Sequence, residues 1–456
     1  MSDVLIASSE TAVTLVPITE AGVAGLPPFL RGLAEQEGFK AKAGQVLKAS
    51  DPGHGRLEQV FVGLGEQPKA DIFRAVAAKL AAGDYQLSEV PAGVDPTQLA
   101  IAWGLGTYRF DRYKPAKDGP ANLVLPPGAD AELATAVVHA CALARDMVNT
   151  PANDMGPLQI ETIASEIAEH FGADIAVVAG DDLHDANYPA VHAVGRAAAA
   201  HRAPRMIEIG WGRAGDPLVA IVGKGVVFDT GGLDIKPSSG MRLMKKDMGG
   251  AAHALALARM VMAARLPVRL AVLIPAVENA ISGDAMRPGD VIASRKGLSI
   301  EIGNTDAEGR LILADALARA AELDPVLTID MATLTGAARV ALGPQVIPFF
   351  TDDDALAADL AAAAEAVGDP LWRLPLWAGY AESVDSDIAD LKNDPDAWAQ
   401  AGSVTAALFL QRFAPKAGWV HLDIFAWNPK ARPGWPAGGE AQAVRALFQL
   451  LQARYR

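Results

Sequence analysis

A single cysteine, Cys141, occurs among 456 residues. It cannot form an internal disulfide, and a chain without disulfides suits a reducing compartment. Cys141 falls in an Ala-rich helical stretch, where a small buried residue is the plainest account of it. Long apolar runs are also missing. Those present, such as 217–222, are far too short to cross a bilayer, so no membrane partner is expected. Residues 1–10 show no basic segment followed by an apolar one, so no secretion signal is expected. Basic charge is scarce beside acidic charge: 40 Lys and Arg against 54 Asp and Glu, a formal net charge of -14. A broad nucleic-acid footprint needs clustered positive charge and is not expected. No HExxH zinc pattern occurs, and the eight histidines are scattered. The segment GLGEQPK at 63–69 lacks the Gly-Lys-Ser/Thr ending of a phosphate loop and reads as a turn. No internal repeat and no long disordered segment is visible.

What remains is a globular composition, 51% hydrophobic and 21% charged, in a chain long enough for two or three domains. Residues 3–8, 56–63 and 121–125 read as strands, with helices at 71–82 and 97–110. That alternation marks a small α/β unit over 1–129, in which no acids, histidines or Gly-rich loops gather into a site. An Ala-rich stretch without Gly or Pro follows Pro126-Pro127-Gly128 and ends at the turn cluster NTPANDMGP; it reads as a linker helix over 130–149. Beyond it, a larger domain over 150–456 alternates helices with continuously apolar strands such as LVAIV, RLAVLI and VLTID. Such strands are buried on both faces, as in a parallel sheet covered by helices. The expected fold is α/β: a small N-terminal α/β domain joined by a long helix to a larger α/β/α domain with a mainly parallel central sheet.

Two stretches concentrate charge among Gly and apolar residues. Residues 223–250 hold Lys224, Asp229, Lys236 and Asp247; residues 304–311 hold Asp306, Glu308 and Arg310. Ligand groups in such sheets gather beyond the carboxyl ends of strands, and Asp229 follows one directly. Gly231 and Gly232 then permit a sharp turn. Asp247 sits where the next helix begins, and Asp306 and Glu308 are two apart in a loop opening another. Four converging carboxylates repel unless cations neutralise them. Two divalent ions would do so, and oxygen-rich sites suit Mn²⁺, Mg²⁺ and, less exclusively, Zn²⁺. Each residue alone has a plainer reading: a helix cap at Asp247, an i,i+4 pair of Asp306 with Arg310, a solvated loop lysine at Lys236, a tight turn at Lys224. Seven such groups at strand ends and helix starts fit those readings poorly. His253, on the Ala-rich helix after Asp247, reads as packed or hydrogen-bonded rather than ligating.

The segments GKGVVFDTGGLDIKP, MKKDMGGAA and NTDAEGRLILADAL resemble the signature segments of the leucyl aminopeptidase family, the two-metal M17 peptidases or cytosol aminopeptidases. WGLGTYRFDRYK, MVNTPAND, MATLTGA, SDIADLKN and HLDI extend the resemblance over most of the chain. It implies a metal-dependent aminopeptidase acting on peptide substrates, cytoplasmic and homohexameric. It implies Lys224, Asp229, Asp247 and Glu308 as ligands of a tighter metal, and Asp229, Asp306 and Glu308 as ligands of a more exchangeable one. The ions would be Mn²⁺ or Zn²⁺. Lys236 matches the lysine that polarises the scissile carbonyl, and Arg310 the arginine that holds a bicarbonate base. Met244, Thr333, Leu334 and Gly336 match positions lining the side-chain pocket. A dipeptidase, such as a cysteinylglycinase, is the alternative from the same chemistry; a DNA-binding role is known among relatives. The chain departs from the family at 394–402, which reads DPDAWAQAG where a Gly-Gly-Arg loop is usual. It departs again at 425–439, which reads FAWNPKARPGWPAGG. Both lie near the substrate pocket in the family.

Overall fold

A computed structural model describes residues 4–50, 53, 55–395 and 400–456. Asp3, in the first expected strand, and residues 396–399, within the divergent 394–402 segment, lie outside the described residues. The chain divides into two compact units: Met1–Ala142 with Asn428–Ala437, and Leu143–Trp427 with Gly438–Arg456. The helix Ala131–Asn149 begins in the first and ends in the second.

The first unit is a six-stranded sheet in the order Leu5–Ile6, Ala121–Val124, Gly83–Leu87, Val13–Ile18, Leu57–Gly63, Val46–Ser50. Neighbours are parallel except the last pair. Three of these strands escape a reading of the sequence. The central one, Val13–Ile18, contains Pro17, which has no N–H to donate. It is accommodated because Val13–Leu15 alone pair with Gly83–Leu87, leaving Pro17 paired on one side, opposite Val62. The helix Pro96–Gly106 starts with Asp95 accepting from the Gln98 N–H and with proline at its first position. Its Trp103 is fully buried and donates from Nε1 to the Ala121 carbonyl at 2.8 Å. Reading 150–456 as one unbroken stretch also misses that Asn428–Ala437 belongs to this unit. There the Arg74 guanidinium lies 4.3 Å from the Trp435 ring centre, and Arg74 Nε donates to the Gly434 carbonyl at 2.8 Å.

The second unit is built on a nine-stranded sheet. Along its main path run Leu371–Arg373, Ile347–Phe350, Trp419–Asp423, Leu327–Ala332, Leu218–Gly223, Arg269–Asn279, Arg205–Trp211 and Asp174–Ala179. The inner four, from Trp419–Asp423 to Arg269–Asn279, are parallel; antiparallel pairings flank them. Three of these four are buried at every residue, as continuous apolar runs require. Ala220 and Val222 pack with Leu311, Leu313 and Leu317 of the helix Glu308–Glu322. Gly223, of opposite parity, faces Ala251 and Ala254 of the helix Gly249–Ala263. Side chains alternate across a strand, so these two helices cover opposite faces and the unit is an α/β/α layer structure. Among the described residues, no helix is long and apolar enough to cross a membrane.

The stretch 218–228, which reads as one strand, is two: Leu218–Gly223 and Gly225–Asp229, parted at Lys224. The Lys224 N–H bonds to the Met331 carbonyl at 3.0 Å, and its own carbonyl accepts from the Ala251 N–H at 2.8 Å. The start of the helix Gly249–Ala263 thus replaces a strand partner. Glycine makes the approach possible: a Cβ on Gly250 would stand 2.1 Å from the Met331 carbonyl oxygen. Lys224 is thereby held beyond the carboxyl ends of the central strands.

Candidate metal centre

Each charged side chain reaches the centre from a defined point of the fold. Asp229 ends the strand Gly225–Asp229. Gly231 (φ 87) and Gly232 (φ 65) then reverse the chain, and the Gly231 N–H donates to Asp229 Oδ1 at 2.8 Å. Asp247 closes the short turn Met244–Lys246, two residues ahead of the helix Gly249–Ala263. Asp306 lies just before the helix Glu308–Glu322, and Glu308 is its first residue. The helix thus takes in the end of the expected loop, and Glu308 is aimed by a helix start rather than by an extended loop. Lys224 passes the bare face of Gly309, where a Cβ would lie 2.6 Å from its Nζ.

Carboxylate oxygens of Asp229, Asp306 and Glu308 all lie within 4.8 Å of one another. Two ammonium groups thread the acids. Lys224 Nζ is 2.8 Å from Asp247 Oδ2 and 3.0 Å from Glu308 Oε1. Lys236 Nζ is 2.8 Å from Asp229 Oδ2 and also contacts Asp306 Oδ1. The second pairing sets Lys236 among the acids rather than in solvent. Uncompensated carboxylates draw in the nearest ammonium, so Lys236 stands in for a cation between Asp229 and Asp306.

The acids are still under-satisfied. Neither oxygen of Glu308, nor Asp247 Oδ2, nor Asp306 Oδ1 has an aligned hydrogen bond among the described residues, although the lysines stand at ion-pair distance. Buried acceptors left this way are costly. Burial first, then the Asp229 charge, pushes the Glu308 carboxyl up to about 8, against the pull of Lys224. The same two causes push Asp306 up to about 6. Burial opposes the Lys224 charge, but the carboxylates of Asp247, Glu308 and Asp229 outweigh it and hold that amine above the ordinary lysine range. These residues fit divalent ions: several oxygen donors and an amine converge, partly unbonded, with more negative charge than two lysines neutralise.

The raised acids give a stability prediction. Both bind protons more tightly folded than unfolded, so their contribution is fully present at acidic pH and lost as pH climbs through about 6 for Asp306 and about 8 for Glu308. The denaturation midpoint of chelator-stripped protein should therefore fall between about pH 5 and about pH 9. Saturating Mn²⁺ should flatten that fall, because a bound cation keeps both acids ionised in the fold. A flat or rising profile in the stripped protein contradicts it.

Arg310, in the first turn of the helix Glu308–Glu322, is buried and donates from Nη1 to the Asn393 carbonyl at 2.6 Å. Its Nε has no hydrogen-bond partner among the described residues, which fits a planar oxyanion beside it. His253 stays out of the cluster. Its Nδ1 donates to the Gly249 carbonyl at 2.6 Å and its Nε2 accepts from the Gln442 N–H at 3.0 Å. Burial lowers it to about 4, so it is neutral.

Of the supporting side chains, sequence reasoning named only Thr333, and that as a pocket position. Asn279 donates from Nδ2 to Asp229 Oδ1 at 2.8 Å and to the Thr305 carbonyl at 3.1 Å. Thr305 Oγ1 donates to the Gly231 carbonyl at 2.6 Å and accepts from the Asp234 N–H at 2.8 Å, tying the two acidic stretches together. Thr333 Oγ1 donates to Asp247 Oδ1 at 2.9 Å. Asn393 Oδ1 accepts from the Gly303 and Asn304 N–H groups at 2.9 and 3.2 Å. Asn393 stands in the quoted segment SDIADLKN, which was its only signal; Asn279 and Thr305 carried none beyond adjacency to acids. The centre opens into a cavity of about 660 Å³, also lined by Met244, Lys246, Thr333, Arg339 and Phe425.

Comparison with known proteins gives the family. Residues 142–448 match the cytosol aminopeptidase family catalytic domain, and 25–126 the M17 aminopeptidase N-terminal domain. A probable cytosol aminopeptidase of Syntrophotalea carbinolica is 39% identical over 453 residues, 92% of this chain and 90% of the relative. One from Geobacter sulfurreducens is 41% identical over 426 residues, 87% of this chain and 85% of the relative. The crystal structure of cytosol aminopeptidase from Coxiella burnetii superposes with TM-score 0.92 at 42% identity, covering 98% of both chains. The bottromycin maturation enzyme BotP in complex with Mn superposes with TM-score 0.88 at 36% identity, covering 97% of this chain and 99% of that one. With its two units matched, its fold shared throughout and its signature segments meeting in one acidic centre, the chain belongs to the M17 cytosol aminopeptidase family.

Proposed function

We propose that this chain is a two-metal aminopeptidase that releases N-terminal residues, leucine among them, from peptides in the cytoplasm. The observation that carries the reading is the cluster of Asp229, Asp306 and Glu308, with Asp247 and Lys224 beside it, opening into one cavity. Lys224, Asp229, Asp247 and Glu308 would hold one ion, and Asp229, Asp306 and Glu308 the other, with Asp229 and Glu308 common to both sets. The Mn complex of BotP makes Mn²⁺ the first ion to try; Zn²⁺ is the second. When bound, such a pair supplies a water activated at neutral pH and an electrophile for a carbonyl.

The chain's own groups then divide the work. Lys224 would bind as the neutral amine, which requires nearby dications to reverse the upward push its acids exert. Lys236, freed from Asp229 and Asp306, keeps its proton at Nζ and directs it at the scissile carbonyl oxygen, where negative charge develops. Arg310 would hold bicarbonate on its planar guanidinium, and that anion would supply a base beside the attacking water. A free substrate α-amine would serve as a further ligand, which would confine cleavage to N-termini. Assembly as a homohexamer is part of the same proposal.

The test is a pair of peptides differing only in N-terminal acetylation, offered to Mn²⁺-loaded protein. The free peptide should lose its first residue and the acetylated one should stay intact. Cleavage of both at similar rates, or activity undiminished by chelation, would overturn the reading.

A further inference from the structure

The cavity has a second charged wall that the metal chemistry does not use. Lys246 ends the turn Met244–Lys246 and is only 7% exposed, yet it lines the cavity. No hydrogen bond or ion pair holds its ammonium among the described residues. Its Nζ lies 5.1 Å from the centre of the Phe425 ring, and the Arg339 guanidinium lies 5.1 Å from the same ring. Two cations therefore share one aromatic ring.

The nearby acids are already engaged. Asp423 accepts from the N–H groups of Leu334 and Thr335 at 3.0 and 3.1 Å, from Thr335 Oγ1 at 2.6 Å and from Ser403 Oγ at 3.3 Å. Asp247 is bonded by Thr333 and paired with Lys224. A ring face offsets only part of the cost of a buried ammonium without an acceptor. A carboxylate entering the cavity would meet that need directly.

We infer that Lys246 and Arg339, over Phe425, select substrates whose N-terminal residue is glutamate or aspartate. This rests on the aminopeptidase reading. The position of the wall points to the side chain of the released residue. Lys246 follows Met244 by two residues, and both line the cavity with Thr333; Met244 and Thr333 match the side-chain pocket of the family. The acids of the metal cluster oppose a substrate carboxylate; their charge is the part that bound cations neutralise.

The experiment compares kcat/KM of the Mn²⁺-loaded full chain on glutamyl, glutaminyl and leucyl p-nitroanilides. These substrates lack a C-terminal carboxylate, so a charge preference must come from the side chain. Glutamyl should exceed its neutral isostere glutaminyl by about tenfold or more, the strength of a charge-assisted contact. Lys246→Met should bring that ratio close to one. Leucyl turnover with glutamyl no better than glutaminyl overturns the pocket assignment alone. Failure on all three overturns the aminopeptidase reading and this inference with it. A preference retained in folded Lys246→Met overturns the role of Lys246. If that variant does not fold, the unmodified protein still decides: calorimetric titration with free glutamate and glutamine should show the same order, and equal binding overturns it.

Discussion

Glu308→Gln should abolish peptide hydrolysis while leaving the metal-free fold about as stable as the parent. The substitution keeps the shape of the side chain and removes only its capacity to ionise. In the metal-free protein burial and the Asp229 charge push this carboxyl up to about 8, so near neutral pH it is largely protonated already. Among the described residues neither of its oxygens has an aligned hydrogen bond to lose, only the ion pair with Lys224. The cost to metal-free stability should stay under about 1 kcal/mol. The metal-bound state should differ sharply. A ligand held at 100 times its Kd stabilises the parent by about 2.7 kcal/mol per site, and a variant lacking a bridging carboxylate should forgo most of it. Activity should fall by well over a hundredfold, since groups that merely orient a ligand already cost about 10- to 100-fold when removed. Thermal melts with and without Mn²⁺, beside initial rates, measure all three. Retained hydrolysis, or an undiminished Mn²⁺-induced rise in Tm, would show that Glu308 holds no metal.

Lys236→Met should lower kcat by about 10²- to 10³-fold, the usual loss when a donor to a developing oxyanion is removed. The same change should tighten the weaker metal site. Without metal, Lys236 pairs with both Asp229 and Asp306, and a cation must displace it to reach those oxygens. Methionine keeps the length of the stem and abolishes the competition. A tenfold gain in Mn²⁺ affinity corresponds to about 1.4 kcal/mol, within the range expected for a displaced, partly buried ion pair. Calorimetric titration of stripped protein reads the affinity independently of turnover. A lysine that only braced the loop would weaken both quantities when removed. Loss of rate with unchanged or weaker metal binding would therefore contradict the dual role.

Particular residues show how far the chain could be read before folding. Asp229 followed by Thr230-Gly231-Gly232 is legible, because a strand, a carboxylate and two glycines able to take positive φ are neighbours in sequence. The apolar runs at 218–222 and 327–332 announce buried parallel strands for the same local reason. Val13–Ile18 is not legible, because Pro17 argues against a central strand unless one knows that its second neighbour stops at Leu15. The break at Lys224 is decided by Met331 and Ala251, both distant in sequence. Asn279 and Thr305 look like ordinary polar residues until the strand Arg269–Asn279 and the 304–307 loop meet beside Asp229. Lys246 is not singled out in the sequence, and only Phe425, which follows the strand Trp419–Asp423, makes it part of a wall.

For the charged centre named at the outset, the sequence alone determined the chemistry of the donors, the elements that carry them and the family whose motifs they form. Those are properties of residue type and near-neighbour spacing, which the chain holds before it folds. The tertiary structure decided which acids face one another, that Lys236 lies among them, and that Lys246 and Arg339 share the Phe425 ring. Strand order and helix-to-sheet packing bring together groups far apart in the chain, and sequence spacing carries no measure of that approach.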